Sequence, residues 1–166
     1  MNRPIKVLLS VVFASLFFGC LSGCKTPTKV DRTFAYNDFG VECLGVNLDG
    51  TQTLRSWGKG KNKAHAIEQA KKNALRAVMF KGITSGGECN KRPLITEVNA
   101  EEKYEAYFNR FFADGGIYAQ FATLDDEKRH SRQKSADNSM ENWGVVVNVD
   151  RAALRDRLVA DDVINP

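Results

Sequence analysis

The stretch that most constrains this chain runs from Asn62 to Gly82, NKAHAIEQAKKNALRAVMFKG, the longest segment with a helical period. Ala66, Ile67, Ala70, Ala74, Ala77 and Val78 recur at spacings of three and four, so they share one side of a helix. That stripe is mostly alanine, which lets the helix axis come close to whatever it covers. Lys63, Lys71, Lys72, Arg76 and Lys81 fall largely off the stripe and keep their charges in water. Asn62 is placed to cap the start, and Gly82 to supply the left-handed residue that ends it. Everything after residue 40 reads as packing around this helix.

Before the helix, Val41 to Val46 and Thr51 to Trp57 read as two strands, with Asp49-Gly50 as the hairpin signal between them. A two-residue turn sets Leu44 opposite Arg55. A type I turn with Gly50 as a left-handed bulge residue sets Leu44 opposite Leu54, which puts apolar side chains on one face and is preferred. Trp57-Gly58-Lys59-Gly60 then connects strand to helix.

After the helix, Ile83 to Arg92 reads as a glycine-containing loop and Pro93 to Val98 as a short extended segment. Asn99 with Glu102 forms a capping-box pattern for a second helix reaching Phe112 or Ala113. Tyr104, Tyr107, Phe108, Phe111 and Phe112 form an aromatic stripe at helical spacing, which reads as core. Ile117 to Leu124 alternates as a strand, with Ile117, Ala119 and Phe121 on one face. Asp125 to Asn142 is charged and reads as a long exposed connection. Trp143, Val145, Val147 and Val149 alternate with Asn142, Gly144, Val146 and Asn148, which reads as a strand. Asp150 then caps a helix over Arg151 to Ala160, with Leu154 and Leu158 inward. The order is ββααββα. It predicts a two-layer α+β domain, an antiparallel sheet of about four strands with helices packed on one face.

The amino-terminal region gives an address. Met1 to Lys6 is basic, and Val7 to Phe18 is an apolar run of about a dozen residues. That is shorter than the about 20 that a spanning helix needs, and it fits a secretory signal. Leu21-Ser22-Gly23-Cys24 follows and resembles the bacterial lipobox; Phe17-Phe18-Gly19-Cys20 is a poorer match. The resemblance implies cleavage before Cys24, a diacylglycerol on its sulfur and fatty acylation, so that several chains anchor the protein firmly. Lys25, rather than Asp, implies the outer membrane by the sorting rule of such proteins. The expected division is a signal peptide over 1–23, a lipidated tether over 24–38 and one domain over 39–166. Phe34, Tyr36 and Phe39 would let the later part of the tether dock onto the fold. Arg3 and Lys6 lie in the leader, which has no acidic residue, so removing them from the net charge of +4 leaves +2. That balance does not fit a nucleic-acid partner, which asks for a strongly basic face.

The hairpin ending in Gly58-x-Gly60 and the helix with Ala66, Ala70 and Ala74 resemble a bacterial envelope module. That module occurs in small surface lipoproteins and in the N-terminal domain of flagellar assembly protein T. The whole mature chain also resembles a group of uncharacterised bacterial lipoproteins. These resemblances imply an envelope location and an interaction role, and bring no catalytic residues.

The search for chemistry leaves few candidates. Cys43 and Cys89 are the thiols that remain once Cys24 is lipidated; they either pair as a disulfide, which an exported location permits, or stay as two buried thiols. His65 and His130 have no partner at metal or triad spacing, and Ser85, Ser131 and Ser135 have no arranged base. Glu101, Glu102 and Glu105 read as first-turn charges favoured by a helix dipole. Neither an enzyme nor a cofactor is expected. The sharpest non-structural candidate is Lys59, Gly60, Lys61 and Lys63, where lysines and helix amides could hold a phosphate. The expected function is therefore a lipid-anchored, non-catalytic domain that contacts envelope proteins. The alternative is a module that binds an anionic lipid headgroup or lipopolysaccharide phosphate through residues 58–63.

Overall fold

In the computed structural model, the helix Lys63–Arg76 (α1) lies across a six-stranded sheet, with Ala66, Ala70 and Ala74 fully buried. The structure describes residues 40–126, 128, 132–137 and 140–166. The leader, Cys20, Cys24, the whole of the tether, His130 and Ser131 lie outside the described residues. Strands β1 (Glu42–Val46) and β2 (Gln52–Gly60) precede α1, and β3 (Ser85–Gly86) follows it. Next come the short helices α2 (Ala100–Lys103) and α3 (Glu105–Phe111), then β4 (Ala122–Leu124), β5 (Gln133–Asp137), β6 (Met140–Val149) and α4 (Arg151–Ala160). Sheet order is β3-β1-β2-β6-β4, with β5 also on β6. The β1–β3 pair is parallel and the others are antiparallel.

The sheet therefore differs from the expected four antiparallel strands in the order ββααββα. β3 adds a parallel edge because Gly86 lets the chain close on β1: a Cβ there would sit 2.1 Å from the Cys43 carbonyl oxygen. β5 forms inside the stretch expected to be a loose connection, where β6 extends to Met140 and offers it an edge. Residues 117–120 form a 3-10 turn instead of strand, since the Tyr118 hydroxyl donates to Glu68 Oε2 on α1 at 2.7 Å and turns the ring inward.

The hairpin turn closes as the bulge register predicts, with Val46 opposite Gln52 and Gly50 at φ 84°. A second irregularity falls between Cys43 and Gly45, so Cys43, not Leu44, faces Leu54. One extra residue turns every side chain beyond it to the other face. Cys43 thereby enters the core at 2% exposure.

α1 ends in a π-helical turn, Ala77–Lys81, and the Gly82 amide donates to the Ala77 carbonyl. The amides of Leu94 and Ile95 donate to the Val78 and Met79 carbonyls, which satisfies groups a helix end leaves open. Asn99 does not cap its helix with its side chain. It sits at φ 60° in the left-handed region, and its carbonyl takes the Glu102 and Lys103 amides instead. The aromatic helix is broken at Tyr104. Its stripe is nevertheless core: Phe108, Phe111 and Phe112 are buried, and the Phe111 and Phe121 rings stack at 5.9 Å. Asp150 accepts from the Ala153 amide and starts α4, whose Leu154 and Leu158 join the same cluster.

Candidate functional site

The loop that starts α1 is built by close packing. The residues of β2 alternate, and Gly58 and Gly60 face the helix. A Cβ on Gly58 would lie 2.1 Å from the Ala66 carbonyl oxygen, and one on Gly60 would lie 2.5 Å from the Ala66 nitrogen. These glycines seat the alanine stripe on the strand. Asn62 Oδ1 accepts from the His65 amide at 3.0 Å, and the Asn62 carbonyl takes the Ala66 amide. Part of the amide donor set that an anion would use is thus already engaged.

The lysines diverge. Lys59 alternates with Gly58 and Gly60, so it leaves the sheet on the face away from α1. Lys61 and Lys63 are exposed at the helix start. The Lys63 ammonium lies 4.5 Å from the centre of the Trp143 ring, and the Lys134 ammonium lies 5.7 Å from it. Trp143 donates its indole N–H to Glu141 Oε2 at 2.7 Å, and Lys134 donates to Glu141 Oε1 at 3.0 Å. These two bonds, the indole one first, hold the Glu141 carboxyl below the usual carboxylate range. Lys59 and Lys63 therefore leave the sheet on different faces. The Lys63–Trp143–Lys134–Glu141 cluster is not legible in the sequence, where Lys134 reads as part of a connection; in the fold it stands opposite Trp143 on a strand.

Cys43 and Cys89 form a disulfide, with Cα atoms 6.1 Å apart and a sequence separation of 46. It fixes β1 to the loop that follows β3. By the loop-entropy estimate, closing a loop of that size stabilises the fold by about 4 kcal/mol.

Three clefts surround the segment between Pro93 and Asn109. One of about 590 Å³ lies between Phe80 and the Glu97–Glu102 stretch, and one of about 620 Å³ lies between Ile95 and the carboxy-terminal Val163. A third, smaller one borders Arg76 and Glu105. Two carboxylates there are in ion pairs, Glu97 with Lys103 and Glu101 with Arg76. Tyr107 donates to Asp161 Oδ2 at 2.8 Å; burial first, and then that carboxylate, push its phenol well above the usual range. Burial and Glu68 do the same to Tyr118. Burial favours the neutral form of Glu68, but hydrogen bonds from Lys71 and Tyr118 outweigh it and hold the carboxyl low. His65 is exposed. Among the described residues no group of three or more His, Cys, Asp or Glu side chains is placed to hold a metal ion. No described helix is long and apolar enough to cross a membrane.

Comparison of the chain with protein-family models, curated proteins and solved structures finds no match.

Proposed function

We propose that this chain is a lipid-anchored bacterial envelope protein whose domain acts by contact with other envelope proteins rather than by catalysis. The observation that carries the reading is the Cys43–Cys89 disulfide. Such bonds persist in oxidising compartments outside the cytoplasm. The basic, apolar leader and Leu21-Ser22-Gly23-Cys24 point to the same route, with Cys24 as the acylated residue and the outer membrane as destination. The Gly58-x-Gly60 hairpin and the alanine helix carry the resemblance to envelope modules, which favours an interaction role. The anion-binding alternative draws less support, because Lys59 and Lys63 leave on different sides of the sheet and Lys63 rests on Trp143.

Fractionation tests the reading. Wild-type protein should remain with carbonate-washed outer membranes, and a Cys24→Ser variant should be recovered in the soluble periplasmic fraction or as uncleaved precursor. Wild-type protein found in the cytosol would end this account.

A further inference from the structure

Two of the clefts beside the segment between Pro93 and Asn109, of about 590 Å³ and about 410 Å³, share Glu101 and Glu102 and so adjoin. Apolar groups line the larger one: Phe80 and Pro93 are half-buried, Ile95 is buried, and Val98 borders the opening. Val98 is 83% exposed. The other large apolar side chains exposed among the described residues, Val46, Leu48 and Met140, line none of the three clefts. The turn that leaves Val98 outside has Asn99 at φ 60°, which asparagine tolerates better than most side chains.

The rim of this groove is acidic, although the chain carries a net charge of +4. Glu97, Glu101, Glu102 and Glu105 border the two clefts. Lys103 pairs with Glu97 at 2.6 Å, and Arg76 pairs with Glu101 at 2.5 Å. Glu102 and Glu105 are exposed, and neither is in an ion pair among the described residues. Unpaired carboxylates disfavour an anionic ligand, and among the described residues they belong to no group placed to hold a metal ion. An apolar cleft bordered in this way complements a chain that offers an apolar side chain next to cations. We infer that the groove docks a segment of another protein in which an apolar side chain is flanked by lysine or arginine. The apolar side chain enters beside Phe80 and covers Val98, and the flanking cations meet Glu102 and Glu105. This names the kind of partner for the contact role proposed above and rests on that reading.

Fluorescence polarisation tests the groove in the full chain with three labelled probe peptides. The first is a short peptide with one Leu flanked by Lys; the second has Glu for each Lys, and the third has Ser for the Leu. The first should bind, with an affinity that falls as salt is added, and the other two should bind at least about ten-fold more weakly. Val98→Asp and Glu102→Lys/Glu105→Lys, all at exposed positions, should each weaken binding of the first peptide by about ten-fold. No binding of the first peptide, equal binding of all three, or unchanged affinity in either variant would overturn the inference. Photo-cross-linking in cells separates the groove from the broader contact role, with p-benzoylphenylalanine in place of Val98 or, at the hairpin turn, of Leu48. Position 98 should link to a different protein, at a peptide with Lys or Arg beside an apolar residue. Links from position 48 alone would overturn the groove and leave the contact role standing. Links from position 98 to a second copy of this chain would overturn the groove, and no links from either position would overturn both.

Discussion

Gly58 and Ala70 meet backbone to side: a Cβ on Gly58 would come within 2.3 Å of the Ala70 nitrogen and 2.9 Å of its Cα. The contact joins the strand that precedes the helix to the middle of the alanine stripe. Backbone atoms on both sides cannot yield as a flexible side chain would. Gly58→Ala should therefore destabilise the domain by about 2–3 kcal/mol through overpacking. Gly87→Ala is the control, since its Cβ would meet nothing closer than 3.8 Å. Urea denaturation that gave both variants the same midpoint would refute this role for Gly58.

The disulfide makes a second prediction. A Cys43→Ala/Cys89→Ala variant should lose stability on the order of 4 kcal/mol. Reduction of wild-type protein should lower its melting temperature in the same direction. Two alkylatable thiols in unreduced, exported protein would reject the bond.

Stability should fall at both ends of the pH range. Tyr107 and Tyr118 have raised phenol pKa values in the fold, so the neutral form is favoured there. Their contribution is complete below the ordinary tyrosine value of about 10 and is lost as pH rises beyond it. Glu68 and Asp161 are lowered, so their contribution is present above the ordinary carboxylate range of about 4 and is lost as pH falls below it. Tyr118→Phe should cost about 1 kcal/mol at neutral pH and flatten the alkaline limb. Urea midpoints measured across pH check both signs, and an alkaline limb unchanged by Tyr118→Phe would contradict the assignment.

The lysine loop gives a prediction that separates the two functional readings. With Lys59 and Lys63 on different faces of the sheet, Lys59→Ala/Lys61→Ala/Lys63→Ala should reduce binding to anionic vesicles no more than three neutralised lysines elsewhere on the surface. A selective loss, compared with a Lys81→Ala/Lys91→Ala/Lys128→Ala control at low salt, would favour an anion site at residues 58–63.

What the sequence made legible was local. The helical period of Asn62–Gly82, the cap at Asp150 and the alternation from Trp143 to Val149 each report the backbone they sit on. β5 was not legible, because QKSAD has no apolar alternation and exists as a strand through β6. Cys43 and Leu44 are both apolar, so either fits the inward position, and the bulge chose between them. Tyr118 is turned inward by a carboxylate far away in sequence, on α1. At the candidate site, too, neighbours in sequence are not neighbours in space: Lys59 and Lys63 diverge on the strand and helix, while Lys63 and Trp143 meet only in the folded chain. Val146, placed by alternation with polar residues, is buried on the face away from α1.

In the proposed function, Cys24 carries the lipid that holds this domain in the envelope. Metabolic labelling with an alkyne fatty acid tests it most directly. Wild-type protein should become labelled and Cys24→Ser should not. Equal labelling of the two, or no labelling of wild type in a strain that labels its other lipoproteins, would contradict it.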